Sequence, residues 1–407
     1  MRRRHLLAGS AAALGAGLAA AAWRYWPDEG FWNPCRAALP QRLAGHELVR
    51  AAWEGIDPRA MWDAHAHLVG SGDSGSGIYV NPQMESLLSP GQYARRLFLL
   101  NAGCAHDAPD SVDRAYVERM RNLLDGLRPG AKLVLLAFER SYDENGQPDP
   151  ERTAFHVPNG YARDIAKAHP AYFEWAASVH PYRRDAVEAL EKAKLEGARA
   201  VKWLPSAMGI DPASPRCDVF YQKLKDLNLP LVSHAGEERA VLGSEAHDFG
   251  NPLRLRRALD AGVRVVAAHC ASLGQDRDFD RGGALVDSFS LFERLMQEAS
   301  YEKLLFGDIS AMTQVNRAGA HLAAVIERSE WHPRLLNGSD YPLPGVMPIY
   351  SVDYLVSLGL ARAAAAPVLK EIRQHNPLLY DFVLKRHLRS RGKAFAARIF
   401  ETRKFFE

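Results

Sequence analysis

Met61-Trp62-Asp63-Ala64-His65-Ala66-His67 is an apolar run that ends in two histidines two residues apart. Side chains two apart on a strand point to the same face, so a strand here sets two imidazoles side by side, about 7 Å apart at the backbone. Two such rings can chelate one metal ion, and neutral imidazole is a common zinc ligand. Alone, the pair is weak evidence, because two exposed histidines also arise in a strand by chance. Its weight comes from what recurs downstream.

Seven more apolar runs follow: Leu133 to Phe138, Phe173 to Val179, Ala198 to Leu204, Leu229 to His234, Val263 to His269, Leu304 to Ser310 and Leu335 to Asp340. From Phe173 onward successive runs begin 25, 31, 34, 41 and 31 residues apart. That leaves room for one crossover helix each time. Asp185 to Leu195 carries Val187, Leu190 and Leu195 among charges with Gly197 as a stop signal, and Leu253 to Leu259 is closed by Gly262. Repeated strand-then-helix units place the chain in the α/β class, and eight of them predict a closed (β/α)8 TIM barrel over residues 60–390. Residues 1–26 and a linker with a helical segment at 27–59 precede it. Helical material from Val352 to Leu388 extends it, and 391–407 is a tail with no clean apolar face and no assigned function. The first connection, Leu68 to Lys132, holds the Gly/Ser stretch 70–77 and reads either as a lid or as an insertion without a role.

In such a barrel the C-terminal strand ends converge on one mouth, so residues 65 and 340 meet despite the 275 positions between them. His234 closes the fifth run, His269 the sixth and Asp340 the eighth. Each taken singly also reads as a satisfied core or loop residue, the reading kept for His106, His156, His169 and His247. His180 after the third run and Arg140 after the second face the mouth by position alone. Asp308 reads equally as a carboxylate orienting a histidine or as a turn residue. Glu237 and Glu238 suit the start of a helix.

Asp63, His65 and His67, then His234, His269 and Ser339-Asp340-Tyr341-Pro342, resemble the amidohydrolase superfamily, in its amidohydrolase-related branch of metal-dependent hydrolases, lactonases and decarboxylases. The resemblance runs from Met61 to Arg386 and includes Asn376-Pro377-Leu378-Leu379. It implies that His65, His67, His234 and Asp340 hold one divalent metal, with His269 a further ligand or a catalytic histidine. Zinc is the expected ion for such N and O donors and manganese the alternative. Asp340 would take a proton from activated water, with His269 or the metal stabilising the oxyanion. Lys202 ends the fourth run facing the mouth. It reads three ways: as a carboxylated lysine bridging two metals, as a cation for a substrate carboxylate, or as a structural lysine. The expected activity is cleavage of a C–N amide, ester or lactone bond in a small molecule. A non-oxidative decarboxylase on the same barrel, or a non-catalytic binding barrel, are the alternatives, and two copies pairing through outer helices is an assembly such barrels allow.

Composition agrees with a folded chain: 407 residues, 47% hydrophobic and 24% charged, close to globular averages. Arg2, Arg3 and Arg4 supply the net charge of +3, leaving no nucleic-acid footprint elsewhere. Those arginines, the uncharged stretch Leu6 to Trp23 and the alanines before Trp23 read as an export leader. Arg3-Arg4-His5-Leu6-Leu7 resembles the twin-arginine motif, so export machinery is an expected partner and the periplasm the expected location, with an uncleaved anchor at 6–23 the alternative. Cys35, Cys104, Cys217 and Cys270 match no zinc or dithiol spacing and are expected to be buried or incidental, with no disulfide framework.

Overall fold

All eight apolar runs form strands in the computed structural model, which describes residues 30–239, 241 and 247–407. The strands are β1 (Trp62–His67), β2 (Lys132–Leu136), β3 (Phe173–Ala176), β4 (Val201–Trp203), β5 (Leu231–His234), β6 (Val265–Ala268), β7 (Leu305–Asp308) and β8 (Leu335–Leu336). They pair in parallel as two sheets, β1-β2-β3 and β4-β5-β6-β7-β8, each strand beside its neighbour in sequence. Between the sheets, Ala177 bridges Val201 and Lys202 N donates to Ala177 O at 2.7 Å. At the other seam Ala66 bridges Tyr341, and Ala64 N donates to Asn337 O at 2.9 Å. The stretch expected to be an export leader lies outside the described residues, and no described helix is long and apolar enough to cross a membrane.

The two-residue period of the strands divides the core. Trp62, Ala64, Val134, Leu136, Ala176, Ala200, Val232, Val266 and Leu336 pack together as one inner cluster. Their alternates, among them Leu133, Leu135, Val201, Leu231, Val265 and Leu305, pack into the larger cluster with the helices. The inner cluster is completed by Phe406 of the C-terminal tail. The tail is anchored there: Thr402 Oγ1 donates to Trp62 O, Asn337 N to Ile399 O at 2.8 Å, and the Arg264 guanidinium to Phe405 O at 2.7 Å. It stoppers the ends of the strands opposite to those carrying the histidines.

Crossover helices stand where their signals lie. Asn159–Ala168, Ala186–Leu195, Asp218–Asp226, Ser288–Gln297 and Ala320–Glu327 are the main ones. The pattern at 253–259 forms a 3-10 turn, Pro252–Leu255, running into the short helix Arg256–Asp260. Val352 to Leu388 breaks into three helices, of which Pro377–His387 is buried and capped by Asn376, whose side chain accepts from Leu379 N at 2.9 Å.

The first connection contains helices Pro90–Ala102 and Val112–Asp125. Its Gly/Ser stretch is tied down by one carboxylate: Asp113 accepts from Ser71 N, Gly72 N, Ser74 N and the Ser74 and Ser76 hydroxyls at 2.7–3.3 Å. Asp113 starts a helix, where a negative charge is favoured by the helix dipole.

One expectation is corrected. Cys35 and Cys104 form a disulfide, with Cα atoms 5.7 Å apart, while Cys217 and Cys270 are buried thiols. Spacing gave no hint of it, because the fold brings these two residues together across 69 positions. The bond ties the segment before the first strand to the end of helix Pro90–Ala102, and Trp32 stacks on Phe98 of that helix at 5.4 Å. Cys35→Ser is expected to lower unfolding free energy by about 2–4 kcal/mol, as closure of a long loop implies. Urea denaturation with and without reductant checks this, since the variant should behave like the reduced wild type.

Candidate metal centre and its cavity

At the C-terminal end of β1 the pairing with β2 slips between Asp63 and Ala66. Trp62 and Ala64 belong to the inner cluster, and the slip hands the inner face on to His65 and His67. Asp63 is no ligand: its Oδ1 accepts from His65 N at 3.1 Å and Ser339 N at 2.8 Å, holding β1 to the loop after β8. Gly338 in that loop lies so close to β1 that a Cβ would sit 2.6 Å from the His65 Cβ. Any side chain there would displace the histidine.

His65 is fully buried, and Asp308 at the end of β7 accepts from its Nδ1 at 2.9 Å. This hydrogen bond leaves the Nε2 lone pair facing inward. His65 Nε2 lies 3.2 Å from His67 Nε2 and 3.5 Å from Asp340 Oδ1, and His67 Nε2 lies 3.2 Å from the same oxygen. Donors about 2.0–2.1 Å from a tetrahedral ion stand about 3.3 Å apart, so these three atoms have the spacing of one face of such a site. They form a site that fits a divalent metal. Asp340 has φ of 60°, and His269, Cys270 and Ala271 are also left-handed at 57°, 49° and 50°. Strained backbone at two of the functional strand ends is a common mark of a site whose geometry the surroundings enforce.

His269 presents Nε2 to Asp340 Oδ2 at 3.9 Å, while its Nδ1 meets the Ser310 hydroxyl at 2.8 Å and Ser310 O at 3.1 Å. Its Nδ1, the His65 Nδ1 and Asp308 also cluster, but each of these atoms is already hydrogen-bonded, so they make a knot rather than a cage. His234 is not among the gathered donors. Its Nδ1 faces Glu238 Oε2 at 3.3 Å and its Nε2 the Glu237 carbonyl at 3.4 Å, with the ring 5.1 Å from that of His269. Lys202 is buried, with Nζ 3.1 Å from His65 Nε2. Burial lowers its pKa against the pull of Asp308, Asp340 and Glu238.

These groups open on a cavity of about 310 Å³. Its walls are mainly apolar, from Phe98, Leu99, Phe138, Phe155, Leu343, Val346 and Ile349. Residues 70–77 do not line it, and helix Pro90–Ala102 does. His180 and Arg140 are also absent from the lining: Arg140 lies over the Tyr79 ring, and His180 uses both ring nitrogens, Nδ1 accepting from Tyr182 N and Nε2 bonding to Met208 O. Sequence reading missed Arg317, which lines the cavity from the loop beyond β7 and carries no motif or strand-end signal.

Burial dominates the histidine titrations. It lowers His67, carries His269 well below its ordinary value, and pushes His234 down to about 4 and His180 to about 3 from 6.5. The unfolded chain takes up these protons as pH falls through 6.5 while the folded chain does not. Folding stability is therefore lost progressively as pH falls from about 6.5 towards about 4. Asp308 and Asp340, held low by His65 and His269 although burial opposes this, lose their contribution only at lower pH. Urea midpoints of chelated protein should drop between about pH 7 and pH 5; equal midpoints would mean that the rings are charged in the folded chain.

A family model described as amidohydrolase matches residues 62–378. Comparison with curated proteins found no match. Among solved structures, a TIM-barrel protein from Bordetella bronchiseptica is 16% identical, covering 73% of this chain and 89% of its own, with a TM-score of 0.45. 2,6-Dihydroxybenzoate decarboxylase from Rhizobium is 11% identical over 80% of this chain and 98% of its own, TM-score 0.41. 4-Oxalomesaconate hydratase from Rhodopseudomonas palustris is 13% identical over 80% and 96%, TM-score 0.41. The family match takes in all eight parallel strands and every donor of the centre, and the chain belongs to the amidohydrolase family.

Proposed function

We propose that the protein is a metal-dependent hydrolase that cleaves an amide, ester or lactone bond of a small molecule. The observation that carries this reading is the triangle of His65 Nε2, His67 Nε2 and Asp340 Oδ1 at 3.2–3.5 Å, at the floor of a cavity. The two hydrogen-bonded seams support a single closed (β/α)8 barrel, in which this end is the mouth.

Zinc suits the N and O donors, and a bound ion supplies Lewis acidity and lowers the pKa of water towards about 7. His65 and His67, with Asp340 Oδ1 beside them, would hold it, and Asp308 fixes the His65 tautomer. Asp340 touches the histidines through Oδ1 and keeps Oδ2 on the side of His269. Oδ2 is the base that accepts the proton from attacking water. His269 donates its Nδ1 proton to Ser310, so its Nε2 lone pair faces Asp340 Oδ2 at 3.9 Å and is placed to pass that proton on to the leaving group. Lys202 Nζ, 3.1 Å from His65 Nε2, is an N–H donor beside the centre for oxyanion charge. A decarboxylase is the second reading, favoured by two buried cations, Lys202 and Arg317, lining one small cavity.

The Cys35–Cys104 disulfide supports an oxidising compartment for this protein, in keeping with an export leader.

Elemental analysis should find about one zinc per chain, with Asp308→Asn weakening zinc affinity by about 10–100-fold and His65→Ala abolishing retention. Asp340→Asn should lower turnover on an amide, ester and lactone panel by about a thousandfold, with label from 18O-water in the product. Release of carbon dioxide without label would favour the second reading. Two zinc equivalents falling in Lys202→Ala would indicate a carboxylated lysine, and no zinc at all would overturn the metal mechanism.

A further inference from the structure

Arg317 is 6% exposed and lines the cavity. Among the described residues its Nε has no hydrogen-bond partner, and Nη1 reaches the Ser272 hydroxyl at a long 3.5 Å. Among the described residues no carboxylate lies within ion-pair distance of it. The acids whose charge it feels most, Glu238 and Asp340, already face His234 and the pair His65 and His67. Burying a guanidinium without an anion is costly, and the cost is recovered when a ligand supplies the anion. The planar fork of arginine matches a carboxylate with two parallel hydrogen bonds. Much of the cavity wall is hydrocarbon, from Phe98, Phe138, Phe155 and Ile349, with Arg95, Arg239, Gln314 and Asn316 as further polar lining. Such a cavity accepts a small molecule with an apolar body and a charged group that meets the guanidinium.

We infer that Arg317 is an anion subsite, and that the substrate is a small organic carboxylate with an apolar body, its carboxylate docked on the guanidinium and its reacting bond turned to His65, His67 and Asp340. The inference rests on the proposed reaction centre for the second half of that statement; the subsite itself stands on Arg317 alone. It also separates the two buried cations: Lys202, against His65, belongs to the reaction centre, whereas Arg317 selects the substrate.

The test is calorimetric titration of benzoate and of neutral benzamide into the full chain and Arg317→Met, each chelated and zinc-loaded. The expected result is benzoate binding by the wild type in both forms, weakened at least about tenfold in Arg317→Met, with benzamide affinity unchanged. Equal benzoate affinity in wild type and variant overturns the inference. So does benzoate binding confined to the zinc-loaded form and indifferent to Arg317, which places the carboxylate on the metal and leaves the metal centre standing. Arg317-dependent benzoate binding by a chain that retains no zinc upholds the subsite and overturns the metal centre instead. If Arg317→Met does not fold, the wild type decides through its preference for benzoate over benzamide: a preference of about tenfold or more supports the subsite and none overturns it. Arg317→Lys, which keeps the charge without the fork, should then fall between.

Discussion

The Asp308 carboxylate is the constraint on which the centre depends. One oxygen accepts from His65 Nδ1; the other accepts from the backbone of His269 and Ser310 and from the Ser310 hydroxyl. Three strand ends, those of β1, β6 and β7, are thereby referred to a single anion. The Ser310 hydroxyl passes the constraint on to the His269 ring, so the two imidazoles stack at 5.0 Å with defined tautomers. A carboxylate so placed must stay ionised, and the neighbouring rings hold it well below the ordinary range although burial alone would raise it. The cost of burying this charge is met by hydrogen bonds from backbone and side chain, as buried anions require.

Asp340 is fixed differently. Its backbone is left-handed, and its N–H donates to His65 O at 2.8 Å, so the loop that carries it is stitched onto the strand that carries the histidines. Behind the stitch, Lys385 in the buried helix Pro377–His387 donates to Gly338 O and to Asp381, both at 2.7 Å. The helical extension therefore braces the loop after β8 from outside, while the tail stoppers the opposite ends of the strands. Rigidity at this end comes from elements that lie after the strands in the sequence.

Much of this was legible in the residues. The eight runs gave the eight strands, because apolar alternation and crossover spacing are local signals. The strand-end positions of His65, His67 and Asp340 gave the gathered donors, and Asp308 filled one of its two expected roles. What the sequence did not show was long-range. His234 ends its strand as expected and lines the same cavity, but its contacts with the acid four residues on and with the Glu237 carbonyl are not revealed by position alone. Arg317 stands nine residues past Asp308 in a loop of no regular pattern. The Gly/Ser stretch looked unconstrained, but its hydrogen-bond partner, Asp113, lies about forty residues downstream and is matched to it by the fold. The disulfide was hidden for the same reason.

That disulfide has a topological consequence. Residues 35 to 104 form a covalent ring, and β1 with both metal-site histidines lies inside it, as do the highly exposed Leu87 and Leu88, an open place for a protease to cut. A single cut anywhere within the ring divides the chain without separating the pieces. The strand bearing His65 and His67 would stay inserted between β2 and the loop after β8, and the two fragments would still be one molecule.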